Sequence, residues 1–417
     1  MPFVSALDRA QWRDVRVVAL ALSLAYLADF MVTTTLLLRL HDGGASGLVI
    51  SGLLLASVLP LVVVAPVAGL LADRIDSRVL LGVAGAIQVV ACLALAWVQN
   101  TAAVLALVAM LTAGLAVASP TLNALVPAMV DRNLLSRANG IIGAATTLGL
   151  ILGPAAGGLL VGLSDTRMPV LLGAGLFVVF ALVGLAVRTR RGTHADVAVS
   201  GGLLEGLRLL RADPALSRLL VLNAVLILLL QITNVFEVFL VRDTLHASAA
   251  MFGLIGAVWT VGMFAGSWLA GVAIRGDGGL LRWSLVAIGL QAVALTAVST
   301  VPNAWWMAPL FAVGGVGNGA MNVLRQTLFG RRAPEHARGR VFSAATAVCN
   351  VAGVASLALG GLLTDLVDPR VGYAVCGALC LVATLGYAPS LLRLARRLEP
   401  RATQTAGASA PSTVERR

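Results

Sequence analysis

The sequence predicts an all-α membrane protein in which twelve transmembrane helices form two pseudo-symmetric halves of six. Three observations lead to this fold class: an apolar composition, a succession of apolar segments, and patterns that recur half a chain apart. Of the 417 residues, 59% are hydrophobic and 12% are charged, and the mean hydropathy is +0.94. Soluble domains contain about 25% charged residues, and disordered chains are poor in hydrophobic ones. The composition therefore excludes both a soluble enzyme and a disordered chain.

Apolar segments separated by short polar connections predict the spans. About 20 residues of helix cross a bilayer. Because lipid offers the backbone no hydrogen-bond partner, and because the segments do not alternate in polarity as barrel strands do, we expect every span to be a helix. The predicted spans are residues 17–38, 46–71, 79–98, 102–125, 140–163, 168–187, 219–241, 250–274, 282–300, 304–327, 341–364 and 371–392.

The distribution of arginines predicts the orientation. The chain has 30 basic residues, all arginine, and a net charge of +11. With the N-terminus inside, 26 arginines lie in cytoplasmic segments and only Arg39, Arg167, Arg242 and Arg370 in outer loops. Positive residues concentrate on the cytoplasmic side of membrane proteins. We therefore expect both termini in the cytoplasm, a location in the inner (plasma) membrane, and no nucleic-acid partner.

An internal repeat predicts the domain organisation. Gly69 and Gly271 close spans 2 and 8, and Pro127 and Pro334 open similar proline–arginine patterns after spans 4 and 10. Two such halves are typical of transporters that bind substrate between them, near the midplane of the bilayer. The predicted divisions are an N-terminal half (1–187), a cytoplasmic linker loop (188–218), a C-terminal half (219–392) and a disordered cytoplasmic tail (393–417).

A short charged motif follows span 2, where residues 69–78 read GLLADRIDSR. The motif resembles the G-x-L-A-D-R-x-G-R-R/K signature of the major facilitator superfamily, and departs from it at Asp76 and Ser77. The form of the motif, with the run PEHARGRVF after span 10, resembles the drug-exporter branch that includes macrolide efflux and enterobactin export proteins. The resemblance implies a cytoplasmic gate that latches the two halves; alternatively, the charges only fix topology. The implied gate residues are Gly69, Asp73, Arg74 and Arg78.

Span 5 carries a second motif of the same kind. Its small residues and proline match the antiporter motif of drug–proton exporters in the superfamily at Gly140, Gly149, Gly153, Pro154, Gly157 and Gly158. Small residues allow close helix contact and proline bends a helix. The resemblance implies export in exchange for protons, although glycine-rich spans are common in this chain, which has 44 glycines. The arginine that many proton-coupled relatives carry in span 4 is absent between residues 111 and 120.

Two carboxyl groups within spans are the candidates for proton coupling. Asp29 lies well inside span 1, and Glu237 lies in the outer part of span 7, the repeat equivalent of span 1. Ionisable residues within a membrane are costly and mark functional sites. The alternatives are that Asp29 is a neutral, hydrogen-bonded structural acid and that Glu237 reaches the outer headgroups or Arg242.

Polar side chains on apolar spans are candidates for the wall of a substrate cavity, or for hydrogen bonds between helices. They are Tyr26, Asn123, Gln231, Asn234, Asn318, Asn322 and Asn350. Arg325 lies near the cytoplasmic end of its span, so we expect no cation deep in the cavity. Carboxyl, amide and aromatic groups without a cation favour neutral or cationic amphiphiles as substrates.

These observations predict a secondary active efflux transporter rather than an enzyme. We expect a monomer that exports drug-like or natural-product amphiphiles in exchange for protons by alternating access. The alternatives are a dedicated exporter of one endogenous metabolite, such as a siderophore, and a lysolipid transporter of the same fold. The sequence has no lysine and hence no P-loop for ATP, its histidines and cysteines show no metal-binding spacing, and no cofactor is expected.

Overall fold

A computed structural model describes residues 2–64, 74–131, 133–187, 189, 203–273 and 276–398, with side chains from residue 12 onward except those of Leu203 and Ala273. The described residues form thirteen α-helices. The helices are α1 (Pro2–Asp42), α2 (Gly47–Val63), α3 (Ser77–Leu95), α4 (Thr101–Met129), α5 (Leu135–Leu163), α6 (Arg167–Leu185), α7 (Leu203–Ala212), α8 (Pro214–Phe239), α9 (Ala249–Ala273), α10 (Asp277–Val298), α11 (Ala304–Arg332), α12 (Arg338–Thr364) and α13 (Pro369–Leu398).

The helices confirm the predicted fold class of an all-α membrane protein. Within the described ranges, eleven helices are long and apolar enough to cross a membrane. A twelfth apolar helix, α2, is shorter and ends where the description stops at residue 64. Each of the twelve predicted spans therefore coincides with an apolar helix, and α7 is an additional short helix in the predicted linker.

The first and last of these helices are longer than the apolar segments that predicted them. Helix α1 begins at Pro2 instead of residue 17, because no glycine or proline interrupts the chain between Pro2 and Gly43. Helix α13 continues to Leu398, past the predicted end at residue 392, so the first residues assigned to a disordered tail are helical. Hydropathy marks where a helix leaves the apolar layer, and backbone hydrogen bonding continues until a helix-breaking residue stops it. Residues 399–417 lie outside the described part of the chain.

The helices pack in two groups that repeat the same pairings. In the first group, α1 packs on α5 and α6, α3 packs on α4 and α6, and α2 packs on α4. In the second, α8 packs on α12 and α13, α10 packs on α11 and α13, and α9 packs on α11. The second set reproduces the first, helix for helix. We call them the N-group (α1–α6) and the C-group (α8–α13).

One buried contact shows how closely the two groups correspond. Gln88 on α3 is fully buried, and a Cβ atom added to Gly114 on α4 would lie 2.6 Å from its Cγ. In the C-group, Gln291 is fully buried on α10, and a Cβ on Gly317 of α11 would lie 3.2 Å from its Cβ. Both residues of the second pair follow those of the first by 203 positions. The glycines let neighbouring helices approach closely enough to enclose a glutamine side chain.

The two ends of the helix assembly differ in their connections. The linker end carries α7, which contacts α12, and an ion pair from Arg340 to Glu205. Arg332 at this end pairs with Asp213 at 2.7 Å and with Asp277 at 3.3 Å. The far end carries the connections after α1, α3, α5, α8, α10 and α12, where Arg39 donates hydrogen bonds to the carbonyl groups of Leu95 and Val98.

We predict that Gly317→Val destabilises the protein by about 1–3 kcal/mol, because overpacking a tight helix contact forces backbones apart. A Cβ at this position would lie 2.5 Å from the carbonyl oxygen of Ala287. Thermal unfolding of the purified protein in detergent measures the effect. Gly271→Val is the matched control, since a Cβ on Gly271 meets nothing within 4 Å. Equal unfolding temperatures for the two variants would contradict the close contact.

Candidate functional site

A cavity of about 260 Å³ lies between the N-group and the C-group. The N-group contributes residues of α1, α2 and α5 to its wall, and the C-group contributes residues of α8–α11 and α13. Most of the lining is aliphatic or aromatic, and Trp259 and Phe311 meet edge to face with their ring centroids 5.7 Å apart. The lining residues include Phe30, Thr33, Thr34, Pro154, Asn234, Glu237, Trp259, Phe311 and Tyr373. We call this space the central cavity.

Glu237 contributes the one carboxyl group among the residues that line the central cavity in the described structure. Tyr373 of α13 lines the same cavity, as does Thr233, one turn before Glu237 on α8. The chain then changes from α-helix to a π-helical turn at Leu240–Thr244. Such turns are frequent at functional sites. Glu237 is therefore a carboxyl group on a wall that both helix groups share.

Asp29 does not line the central cavity. Its side chain is buried among the helices of the N-group, near Cys92 of α3, and the residue is only 5% exposed. Its Oδ1 atom has no hydrogen-bond partner within the described chain. The neighbouring Phe30, not Asp29, lines the central cavity. A part in proton coupling remains a prediction for Asp29.

The glycines of the predicted antiporter motif mediate helix contacts. A Cβ on Gly153 would lie 2.7 Å from the Cβ of Phe30 and 3.0 Å from the carbonyl oxygen of Leu27, both on α1. Gly149 and Gly157, one turn away on either side, press on the same helix. Three glycines at four-residue spacing thus form a flat face along which α5 meets α1. Gly140 is not part of this face, because nothing lies within 4 Å of its Cβ position.

Gly158 and Pro154 belong to a contact between the two helix groups. A Cβ on Gly158 would lie 2.9 Å from the Cα of Gly253 on α9. A Cβ on Gly253 would in turn contact the carbonyl oxygen of Pro154. In the repeat-related place, a Cβ on Gly361 of α12 would lie 2.6 Å from the Cβ of Ser51 on α2. The pairs α5–α9 and α2–α12 therefore close the far end in the same way.

Charged groups add to the closure of the far end. The Nε2 atom of His41 lies 3.1 Å from Oδ2 of Asp243, and Arg242 donates a hydrogen bond of 3.0 Å to Asp42. Both pairs join the end of α1 to the π-helical turn after α8. The backbone N–H of Gly47 donates a hydrogen bond of 2.8 Å to Asp365, which follows α12. We call these contacts the far-end closure. They were not predicted from the sequence, because the local pattern of each helix does not show which helix ends meet in the fold.

The predicted gate motif is described only in part. Gly69 and Asp73 lie outside the described residues. Arg74 is exposed, and Arg78 donates a hydrogen bond of 2.9 Å from its Nε atom to the carbonyl oxygen of Val187. Asp76, where the superfamily signature has glycine, caps α3 by accepting a hydrogen bond of 2.8 Å from the backbone N–H of Arg78.

The predicted polar residues divide into three sets. Asn234 lines the central cavity, where its side chain donates a hydrogen bond of 2.6 Å to Gln231. Gln231 itself lines a second cavity of about 230 Å³, together with Asn318 and Asn322. Neither cavity includes the remaining three residues, Tyr26, Asn123 and Asn350. Tyr26 contacts Ser119 on α4 at 3.3 Å, and Asn123 bonds to the same residue.

Sequence reasoning missed the aromatic residues of the central cavity. In the sequence, Trp259, Phe311 and Tyr373 resemble ordinary apolar positions, because their spans are hydrophobic on every side.

Within the described ranges, no group of three or more histidine, cysteine or carboxylate side chains is placed to hold a metal ion. The four cysteines are free thiols, three of them buried and Cys349 partly exposed.

This arrangement of two similar helix groups around a shared cavity defines a class of membrane transporter. Comparison with models of known protein families identifies the family of this chain. Residues 18–355 and 219–415 match the model of the Major Facilitator Superfamily. The chain belongs to this superfamily of transporters.

Known relatives agree with this assignment. The chain is 26% identical over 374 residues to the uncharacterized MFS-type transporter YfiS of Bacillus subtilis (strain 168), covering 87% of this chain and 88% of that protein. Among solved structures, a mutant of the nucleoside transporter NupG is 15% identical, with a TM-score of 0.72, over 89% of this chain and 99% of that chain.

A bacterial homolog of the human lysosomal transporter Spinster, in an inward-facing and occupied conformation, has a TM-score of 0.69 at 15% identity over 94% of this chain and 97% of that chain. The peptide transporter POT in complex with sulfate has a TM-score of 0.68 at 14% identity over 92% and 95%. At these identities, the solved structures show the shared fold alone.

We predict that Arg242→Gln opens the far end in part of the population. Partly exposed ion pairs contribute about 0.2–1 kcal/mol, so we expect the open fraction to rise by up to about fivefold. Spin labels at positions 164 and 366, in a variant without native cysteines, report the distance between the groups. Arg370→Gln is the control, because Arg370 bonds to Ser299 within the C-group. An unchanged distance distribution in Arg242→Gln would show that the ion pair does not hold this end.

Proposed function

We propose that this transporter is a secondary active exporter. In this proposal it exchanges protons for drug-like or natural-product amphiphiles, lies in the plasma membrane with both termini in the cytoplasm, and works by alternating access. One observation carries the proposal: a largely apolar, aromatic cavity between two repeated helix groups has a carboxyl group, Glu237, in its wall. Such a cavity accepts apolar substrates of varied shape, and its acid can exchange a proton for a substrate.

The contacts at the far end support the alternating-access part of the proposal. The far-end closure joins the groups through two repeat-related helix pairs and two charged pairs. With the linker end toward the cytoplasm, as the distribution of arginines predicts, the far end faces outward. The described arrangement then corresponds to a transporter closed to the outside. The gate motif at residues 69–78 would latch the opposite side when the outside opens.

The position of Glu237 favours it as the group that exchanges protons with the cavity. It lines the cavity directly, as does Tyr373 from another helix of the same group. A carboxyl group cannot be left charged and unpaired in an apolar wall without a large cost. Loss of its proton is therefore favourable only when water or a cationic part of a substrate enters.

Transport into everted membrane vesicles tests the proposal. The panel is a cationic dye, a macrolide, a ferric siderophore and a lysophospholipid, each measured with and without a protonophore. We expect protonophore-sensitive uptake of several unrelated amphiphiles. Uptake of the siderophore alone, or of the lysophospholipid alone, would support the dedicated exporter or the lysolipid transporter instead. Uptake that is unchanged by the protonophore would contradict proton exchange.

We predict that Glu237→Gln lowers proton-driven accumulation at least about tenfold while substrate binding persists, because an amide cannot release a proton and keeps the shape of the side chain. Accumulation in everted vesicles and binding to the purified protein are measured in parallel. Glu205→Gln is the control, since Glu205 is on α7 and pairs with Arg340 away from the cavity. Normal coupled transport by Glu237→Gln would exclude this carboxyl group.

We predict that Asp29→Asn also abolishes proton-driven accumulation while expression and binding are retained. A lone charge within a span costs about 2.5–3.5 kcal/mol on insertion scales, so the buried side chain requires a proton, a partner or water at some step of the cycle. The same vesicle assay measures the effect. Full coupled efflux by the Asn variant would remove Asp29 from the mechanism and leave Glu237.

A further inference from the structure

A second cavity opens beside the central cavity, on the side toward the linker end. Its wall carries four amide side chains, Asn223, Gln231, Asn318 and Asn322, from α8 and α11. It also shares Leu230 with the wall of the central cavity, and Gln231 bonds to Asn234 of that wall. The two spaces are therefore adjacent, one rich in amides and the other in aromatic rings. We call the second space the amide pocket.

The guanidinium group of Arg325 lies at the edge of the amide pocket. One of its Nη atoms lies 3.5 Å from Oδ1 of Asn322, and its charge acts on the thiol of Cys349. Cys349 in turn accepts a hydrogen bond of 3.4 Å from Asn223 on the opposite helix. Arg325, Asn322, Asn223 and Cys349 thus form one cluster along the pocket. Sequence analysis placed Arg325 near the end of its span and excluded it from the cavity.

Arg325 differs from three other arginines of the C-group in its lack of a carboxyl partner. Arg332 pairs with Asp213 and Asp277, Arg340 with Glu205, and Arg242 with Asp42. No carboxyl group of the described residues pairs with Arg325. Its buried Nε atom, like that of Arg242, has no hydrogen-bond partner among them. A half-buried cation without a counter-charge is costly. An anion in the amide pocket would provide the missing partner.

We propose that the amide pocket binds an acidic headgroup, a carboxylate or a similar anion, of an amphiphile whose apolar part occupies the central cavity. Arg325 supplies the charge and a planar set of donors that suits a carboxylate. The amides of Asn318, Asn322 and Asn223 supply further hydrogen bonds. This inference rests on the proposed function and narrows its substrate class to amphiphiles with an acidic end.

The spacing of the lining residues along α8 indicates the length of such a ligand. Gln231, on the amide pocket, and Glu237, on the central cavity, are six residues apart, or about 9 Å at the rise of an α-helix. Asn223 lies two further turns toward the linker end. A ligand that reaches from the aromatic rings of the central cavity to Arg325 is thus on the order of 10–20 Å long. An acyl or aryl chain of moderate length with a terminal acid fits this distance.

Binding of matched probes to the purified transporter tests the proposal without requiring transport. The probes are an ω-dansylamino fatty acid, its primary amide, and the trimethylammonium compound of the same chain length. We expect the acid to bind at least about tenfold more tightly than the amide, because a charge-assisted hydrogen bond is replaced by a neutral one. Equal affinities for the acid and the amide would overturn the proposal.

Variants of Arg325 test whether this residue causes the preference for the acid over the amide. We expect Arg325→Gln to remove the preference for the acid and leave the affinity for the amide unchanged, and Arg325→Lys to keep part of it. Arg331→Gln, on the same helix but 46% exposed and paired with Asp277 at 3.8 Å, is the control and should keep the full preference. A preference that survives in Arg325→Gln would show that the anion binds elsewhere.

Cys349 gives a readout that needs no change to Arg325. Because its thiol accepts a hydrogen bond from Asn223 of the pocket wall and is influenced by the Arg325 charge, a bound acid should slow its reaction with a methanethiosulfonate reagent, and the amide should not. Cys349→Ser removes the signal and serves as the control. Absence of protection by the acid would overturn the proposal even if both Arg325 variants misfold. None of these binding and labelling results tests the export proposal, which depends on the vesicle assay alone.

Discussion

Close approach of helix backbones at glycine is the constraint on which the rest of this structure depends. In a membrane, helices gain little from hydrophobic burial against each other, so their association depends on fit. Gly149, Gly153 and Gly157 bring α5 onto α1, and Gly158 brings α5 onto α9. One helix therefore holds the N-group together with one face and joins it to the C-group with another. Pro154 lies between these contacts and lines the cavity, so the same short segment shapes the transport pathway.

The charges of the spans follow from this packing. Helices that meet at glycine leave no room for water between them. Asp29 is buried among the helices of the N-group. The central cavity between the two groups has Glu237 in its wall, and the amide pocket, lined by α8 and α11 of the C-group, adjoins it. In the proposed function, together with the proposed anion site, a carboxyl group and a guanidinium group make the substrate pathway polar at two points separated by an apolar region. The substrate of such a pathway would need polar ends and an apolar middle.

The sequence predicted the fold better than it predicted the site, for a physical reason. The apolar length of each segment identified the twelve helices, and motifs that recur half a chain apart identified the repeat, because both can be recognised without knowledge of how the helices pack. Whether a side chain faces the cavity depends on how a helix is rotated against its neighbours, which a uniformly apolar span does not record. Asp29 and Glu237 were both candidates for proton coupling, yet only Glu237 lines the cavity. Likewise, Arg325 was predicted to lie near the cytoplasmic end of its span, away from the cavity, whereas its long side chain extends back to Asn322.

In the proposed mechanism, the far-end closure has to be reversible. Its charged groups are partly exposed, so each ion pair contributes little. Its helix contacts join small residues across two repeat-related pairs of helices, and their strength depends on fit. A ligand shifts a balance between a closed and an open arrangement by its differential affinity for the two states. Strong ion pairs here would hold the proposed exporter in one state and make turnover slow. Weak ion pairs together with close glycine contacts would keep the far end closed and still allow a proton and a substrate to open it.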